Sequence, residues 1–124
     1  MNVVDSSAWL AYFRGERNAA RFAGPIEAVE RLLVPSICLT EVFRFLGRHL
    51  DDQHALEAVA QMGAGRIVPL DGSLAIEAAG IGLELGLPLA DSIIYATARR
   101  FDAVLWTQDA DFKDLPGVKL FAVG

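Results

Sequence analysis

The sequence predicts an α/β domain in which helices cover both faces of a mostly parallel sheet. Along its 124 residues, short runs of β-branched and aliphatic residues alternate with longer runs of helical periodicity, the order typical of parallel sheets. The strand-like runs are continuously apolar, as strands buried on both faces are. No repeat or low-complexity segment interrupts this order, so we expect one domain over residues 1–124, and 53% hydrophobic residues suffice for its core.

Five runs are predicted as strands because they are short and rich in Val, Leu and Ile. They read VV, LLVP, RIVPL, AVLWT and VKLFAV, and they cover residues 3–4, 32–35, 66–70, 103–107 and 118–123. We place the last of them at an edge of the sheet.

Small polar residues mark the predicted helix starts, because their side-chain oxygens accept the free N–H groups of a first helical turn. The predicted caps are Ser6 or Ser7, Ser36, Asp51 or Asp52, and Asp71. Gly24-Pro25 is predicted to break or bend a helix over residues 18–31.

Glycine and proline punctuate the second half of the chain. Gly86 ends the helix predicted over residues 73–85, and Pro88 precedes the helix predicted over residues 89–101. Two further glycines, Gly80 and Gly82, lie inside the first of these helices, and we attribute them to close helix packing.

Composition limits the function. Eleven Lys and Arg against 16 Asp and Glu give a net charge of −5, which argues against nucleic-acid binding through a broad basic face. It leaves room for nucleic acid at a site where bound cations reverse the local sign. A single cysteine, Cys38, excludes an intrachain disulfide, and the N-terminus MNVVDSS lacks the features of a secretory signal. No apolar run is long enough to span a membrane, so we expect a cytoplasmic protein.

Carboxylates fall at comparable places in four separate segments. Asp5 ends the first strand, and Asp109 and Asp111 follow the fourth in TQDADF. Glu41 lies about one turn into the helix after the second strand, and Asp91 lies in the first turn of the helix before the fourth. Because open parallel sheets bind ligands beyond the carboxyl ends of their strands, these acids are predicted to share one edge.

Clustered carboxylates at such an edge favour a site for Mg²⁺ or Mn²⁺, which take hard oxygen ligands. Such ions suit phosphodiester hydrolysis, since they stabilise charge on phosphate oxygens and lower the pKa of an attacking water. Each acid also has an ordinary explanation. Asp5 and Asp109 are plausible caps, Asp91 is favoured by the helix dipole, and Glu41 and Asp111 are plausible surface residues.

Read in order as VVDSSAWLAYF, PSICLTEVFR, LPLADSIIYATARR and VLWTQDADF, the chain resembles PIN-domain proteins, in particular the VapC-like toxin ribonucleases of toxin–antitoxin pairs. The four motifs extend from Val3 to Phe112. The resemblance implies a five-stranded sheet in the order 3-2-1-4-5, which brings Asp5 near Asp109. One departure is Phe43, a bulky residue in place of the small ones common just after the family's glutamate, and it implies changed packing there.

The resemblance also implies the roles of the site residues. Asp5, Glu41, Asp91 and Asp109 are implied to be the catalytic acids and the ligands of Mg²⁺ or Mn²⁺. Three residues are implied to support them, namely Thr107, Ser6 and Asp111, the last because family members differ in which of the two acids after the fourth strand is used. The products implied are a 5′-phosphate and a 3′-hydroxyl.

The partners implied by the resemblance are an RNA substrate, a cognate antitoxin, and a second copy of the chain, in a heterotetramer or larger assembly with the antitoxin. The high hydrophobic content fits a surface that a partner covers. Arg14 and Arg44 are candidates for holding RNA phosphates because they follow the first helix and Glu41.

Two alternatives stay open at this stage. A phosphatase of the haloacid-dehalogenase kind would use Asp5 as nucleophile, but it needs a second acid two residues later, where Ser7 stands. A non-catalytic binding module of the same fold would keep the acids only as helix caps.

Overall fold

The computed structural model describes residues 1–123 and contains one five-stranded sheet in which every neighbouring pair of strands is parallel. The strand order is β3-β2-β1-β4-β5, as the resemblance implies. The first strand is central and pairs on both sides, with Val3 opposite Leu33 of one neighbour and Leu105 of the other. Because all five strands point the same way, their carboxyl ends meet at one edge.

The predicted elements are present with shifted ends. The strands are β1 Asn2–Val4, β2 Leu32–Pro35, β3 Arg66–Val68, β4 Val104–Thr107 and β5 Val118–Leu120. The helices are α1 Ser6–Phe13, α2 Ala19–Glu27, α3 Ser36–His49, α4 Asp52–Met62, α5 Gly72–Leu85 and α6 Leu89–Arg100, with 3₁₀ turns at Val29–Arg31 and Ala110–Phe112.

Two predicted caps are wrong and two are confirmed. Helix α1 is capped by Asp5, whose side chain accepts the Ala8 N–H, so that Ser6 is already helical. Helix α3 begins after Pro35 without a side-chain cap. The hydroxyl of Ser36, the predicted cap, accepts the Leu70 N–H instead. By contrast, α4 and α5 are capped as predicted, at Asp51 and Asp71.

Helix α2 differs from the prediction at Gly24-Pro25. It continues through both residues and ends at Glu27. Pro25 lies in the last turn with its ring buried, where it removes only one backbone hydrogen bond, and the 3₁₀ turn then carries the chain to β2.

Close packing explains one of the two glycines inside α5. A Cβ at Gly82 would collide with the Ser92 hydroxyl of α6, whereas a Cβ at Gly80 would meet no atom. The helix then ends at Gly86, whose φ of 68° is a left-handed conformation that glycine adopts without strain.

The core lies on both faces of the sheet. Consecutive residues of the central strands are fully buried, as Val3 and Val4 are in β1, and side chains of successive strand residues point to opposite faces. Helices therefore cover both faces, as predicted. Cys38 is buried as well, and its thiol faces the Val4 carbonyl.

Within residues 1–123, no single helix is long and apolar enough to cross a bilayer. Helices α5 and α6 meet that criterion only as a pair, and the pair is bent by 111°.

Candidate active site

A cleft of about 280 Å³ opens at the carboxyl edge of the sheet, and four carboxylates from four different segments line it. Its lining consists of Asp5, Ser6, Ser7, Leu10, Glu41, Phe45, Asp91, Ile94 and Asp109. The four predicted acids therefore share one cavity, although up to about 100 residues separate them along the chain.

Asp5 forms the floor of the cleft and is only 2% exposed. It follows β1 directly and caps α1, so that the Ala8 N–H of the helix holds its carboxylate. Hydroxyls complete its shell. The Ser7 hydroxyl lies 2.9 Å and 3.0 Å from its two oxygens, and the Thr107 hydroxyl donates to Oδ2 at 2.7 Å.

Burial raises the pKa of Asp5 from 3.8 to about 6, because the charged form loses its hydration. The hydrogen bonds from Thr107, Ala8 and Ser7 oppose that rise, and the charge of Asp109 adds to it. A cation at this carboxylate would restore its charged form.

Glu41 reaches the cleft from α3, about one turn after the end of β2. Its Oε1 accepts the Ser6 hydroxyl at 2.7 Å, which ties α3 to the first turn of α1. Ser6 therefore orients a carboxylate, which fits the supporting role that the resemblance implies.

Asp91 enters from the first turn of α6 and is half-buried. Its pKa rises from 3.8 to about 7, first because of burial and then because of the negative charge of Asp109 and a hydrogen bond shared with Asp111. Burial and neighbouring acids both disfavour the charged form of Asp91, and a bound cation would favour it.

Asp91, Asp109 and the neighbouring Asp111 form a close group of three carboxylates. One carboxylate oxygen from each of Asp91, Asp109 and Asp111 lies within 4.8 Å of the others. Asp109 caps the 3₁₀ turn by accepting the Asp111 N–H, and its own N–H donates to the Thr107 hydroxyl. Thr107 thus links the backbone of this group to the carboxylate of Asp5.

The donors present fit Mg²⁺ or Mn²⁺. All are carboxylate oxygens, the hard ligands that these ions select, and they approach one cleft from several directions. Burial is the first cause of the raised pKa of both Asp5 and Asp91, and the neighbouring carboxylate of Asp109 adds to each rise, so a bound cation would stabilise their charged forms.

The sequence profile of the PIN domain matches residues 3–118. The chain belongs to the PIN-domain family. The predicted resemblance is therefore confirmed at the level of the family, and the sheet order and the carboxyl-edge cleft of this PIN domain agree with it.

Solved structures similar to this PIN domain include two complexes and one toxin. A toxin–antitoxin complex from Klebsiella pneumoniae matches with a TM-score of 0.82 and 24% identity, over 99% of this chain and 100% of that one. Mycobacterium tuberculosis VapC20, described as a sarcin–ricin-loop-cleaving toxin, matches with a TM-score of 0.81 and 19% identity, over 97% and 98%. VapBC2 from Rickettsia felis, bound to a promoter DNA fragment, matches with a TM-score of 0.74 and 13% identity, over 98% and 97%. At these identities the likeness shows the fold. No curated protein sequence matches the chain.

The two predicted phosphate-binding arginines occupy different surroundings. Arg14 forms an ion pair with Glu16 at 2.8 Å and lies over the Phe45 ring, 5.0 Å from its centre. Arg44 lines a neighbouring cleft together with Glu41. Of the two, only Arg44 presents its charge next to an acid of the PIN domain's cleft.

The sequence analysis missed the role of Ser7. It treated Ser7 only as a possible helix cap and as the residue that stands where a phosphatase would need a second acid. Its hydroxyl instead donates to the Asp5 carboxylate. The signal was available, because a serine two residues after an aspartate at a helix start is well placed to bond back to it.

Proposed function

We propose that this PIN domain is a metal-dependent endoribonuclease and the toxin of a toxin–antitoxin pair. The observation that carries the proposal is the meeting of Asp5, Glu41, Asp91 and Asp109 in one cleft at the carboxyl edge of the sheet. The matching profile is that of a family whose members are nucleases, and a similar structure is named as a sarcin–ricin-loop-cleaving toxin.

The four carboxylates, with Asp111 beside them, would hold Mg²⁺ or Mn²⁺. When bound, such an ion supplies charge stabilisation at phosphate oxygens and a more acidic water. The chain itself orients its carboxylates. Thr107 and Ser7 fix the Asp5 oxygens, and Ser6 fixes Glu41. These contacts set the positions of the acids before substrate arrives, which is the preorganisation that a charged transition state requires. We expect a 5′-phosphate and a 3′-hydroxyl as products.

The decisive experiment is cleavage of a labelled pool of structured RNA by the purified protein in Mg²⁺, Mn²⁺ or EDTA. Asp91→Asn is the test variant, and Asp102→Asn is its matched control. Asp102 is exposed beyond α6, at the opposite edge of the sheet, and its φ of 51° is one that asparagine tolerates. We expect the control to cut RNA in metal and not in EDTA, and Asp91→Asn to cut in neither.

Equal cutting by Asp91→Asn would indicate a contaminating nuclease or acids that serve only as caps. A binding module of this fold predicts that every measured property survives the substitution. A phosphatase that uses Asp5 as nucleophile predicts instead a trapped phospho-aspartate at Asp5.

We further propose two protein partners, an antitoxin and a second copy of the chain. Support comes from large apolar side chains that the domain leaves in solvent on α5 and at the start of α6. Ile76 is 76% exposed, Leu83 is 88% exposed and Leu89 is 79% exposed. Similar structures are named as toxin–antitoxin assemblies. Sedimentation of the purified chain alone checks the second copy, and a mass of 13.4 kDa in solution would contradict it.

A further inference from the structure

A second cleft of about 230 Å³ lies beside the carboxylate cleft, and one face of α3 lines it. Its lining consists of Thr40, Glu41, Arg44, Phe45, Arg48 and His49. Glu41 and Phe45 belong to both clefts, so the two cavities form one continuous surface. We call this second cavity the α3 cleft.

The α3 cleft carries two unpaired cations on a chain whose net charge is −5. Arg44 and Arg48 are exposed, and neither forms an ion pair with any residue in the range 1–123. Arg14 and Arg100, by contrast, form ion pairs with Glu16 and Glu77. Two free guanidinium groups in one cavity are therefore a local reversal of the protein's charge.

The spacing of the two arginines suits an extended polyanion. They lie four residues apart on α3, which places them on the same face and roughly 6 Å apart along the helix axis. Glu41 precedes Arg44 by less than a turn, so the cations continue the line that starts at the carboxylate cleft.

Aromatic rings form one wall of the α3 cleft. The His49 ring lies 4.2 Å from the Phe45 ring, centre to centre, and Arg14 covers Phe45 at 5.0 Å. The His49 ring is tilted by 36° to the Phe45 ring and is exposed, so one of its faces is open to a base.

We propose that the α3 cleft binds the backbone of single-stranded RNA on one side of the bond that is cut. Arg44 and Arg48 contact successive phosphates, and His49 stacks on a base. The inference rests on the proposed function, since a strand with one phosphate at the carboxylate cleft must leave along a neighbouring surface. An acidic protein segment would also satisfy the arginines, but it has no base for the ring wall and no phosphate for the carboxylate cleft.

The test measures binding, so that it does not depend on cleavage. A fluorescein-labelled 12-nucleotide single-stranded RNA is titrated with Asp91→Asn protein in Mg²⁺ at several NaCl concentrations. The test variant adds Arg44→Gln and Arg48→Gln. The matched control adds Arg31→Gln and Arg66→Gln, which remove the same charge from exposed residues at the opposite edge of the sheet.

We expect the test variant to bind the RNA at least about fivefold more weakly than its parent. The slope of log K against log salt should fall by about 1.4, since each phosphate contact to a single strand contributes about 0.7. The control pair should stay within about twofold of the parent. Circular dichroism of all three proteins checks that they are folded.

Equal weakening by both pairs would overturn the proposal, because it would show that only net charge matters. Displacement of the RNA by polyglutamate, at the same charge concentration and with the same dependence on Arg44, would overturn it in favour of an acidic protein partner. The proposed function fails separately. Arginine-dependent binding without cleavage by the wild-type chain would uphold the α3 cleft and reject the nuclease, and absence of RNA binding by the parent would reject the α3 cleft.

Discussion

The two halves of the carboxylate cleft are built in opposite ways. On one side, Asp5 and Glu41 are held by hydroxyls and a backbone N–H, and every one of these donors is neutral. On the other side, Asp91 receives no hydrogen bond from a hydroxyl or amide within residues 1–123, and it faces Asp109 and Asp111. The first half has its geometry fixed by neutral donors, whereas the second half brings three carboxylates together, whose repulsion a proton or a bound cation would relieve.

The largest effect is expected from a substitution at Asp91, in the second half of the cleft. Asp91→Asn should lower metal-dependent RNA cleavage by about 10³-fold, since it removes a charge that acts on the reacting phosphate through the metal. The same change should raise the melting temperature in EDTA, because it relieves repulsion with Asp109. Cleavage assays and thermal unfolding on one preparation check both. A variant that loses activity and stability together would show that Asp91 is structural.

Thr107 joins the two halves, and its removal should be the next largest effect. Thr107→Val deprives Asp5 of a hydrogen bond and leaves the Asp109 N–H without its acceptor. Because Thr107 is fully buried, we expect a loss of about 1–3 kcal/mol in unfolding free energy and a clear drop in cleavage. Thr107→Ser keeps the hydroxyl and should retain most of both. Similar losses in the two variants would point to packing of the methyl group.

The unfolding free energy should also depend on pH, because burial and neighbouring charge raise the pKa of Asp5 and of Asp91. In the folded protein without metal, the pKa of Asp5 is about 6 and that of Asp91 is about 7, against 3.8 in the unfolded chain. The folded state therefore holds more protons than the unfolded state between about pH 4 and 7, so the unfolding free energy falls as pH rises through that range.

The measurement is thermal unfolding at pH 5 and pH 8. In EDTA we expect the melting temperature to fall by roughly 5 °C between them, and saturating Mg²⁺ should reduce that fall by stabilising the charged form. Asp91→Asn should show a smaller fall in EDTA than the wild type. The same fall with and without Mg²⁺ would contradict a cation site in the cleft.

The smallest expected effect concerns which of Asp109 and Asp111 contributes more to cleavage. Asp109 lines the cleft and caps the 3₁₀ turn, whereas Asp111 is exposed and lies outside the lining. Asp111→Asn should reduce cleavage by about tenfold, the lower end of the effect of removing a side chain that orients a metal ligand, and Asp109→Asn should reduce it more. The reverse order in a side-by-side cleavage assay would make Asp111 the metal ligand of this segment.

Much of the fold follows from local sequence, and much of the site does not. The strands, the caps at Asp51 and Asp71, and the end of α5 at Gly86 depend on neighbouring residues, so periodicity and capping rules predict them. The strand order depends on pairing between distant segments, and only the resemblance to a family supplied it. Asp5, Glu41 and Asp109 were found because they follow strands, and Asp91 because it begins the helix before the fourth strand, but no local rule predicts their partners.

The errors have the same origin. Asp5 rather than Ser6 caps α1, because the carboxylate is turned toward the helix while the Ser6 hydroxyl bonds to Glu41, 35 residues away. Pro25 stays helical because α2 ends within three residues, so that its missing N–H removes only one backbone hydrogen bond. The need for glycine at position 82 depends on Ser92 of the next helix. Such contacts exist only after the fold brings the segments together.

The bond between Thr107 and Asp5 joins residues 102 apart in the sequence, and it has a consequence for the order in which the protein is made. A ribosome adds about 5–20 residues per second, so roughly 5–20 s separate the synthesis of the two partners. Throughout that time β1 lacks its neighbour β4 and the cleft lacks Asp109, and for most of it the cleft lacks Asp91 as well. Under the proposed function, the growing chain could not cut the ribonucleic acids that surround it during translation, and an antitoxin would have that interval to bind before the site is complete.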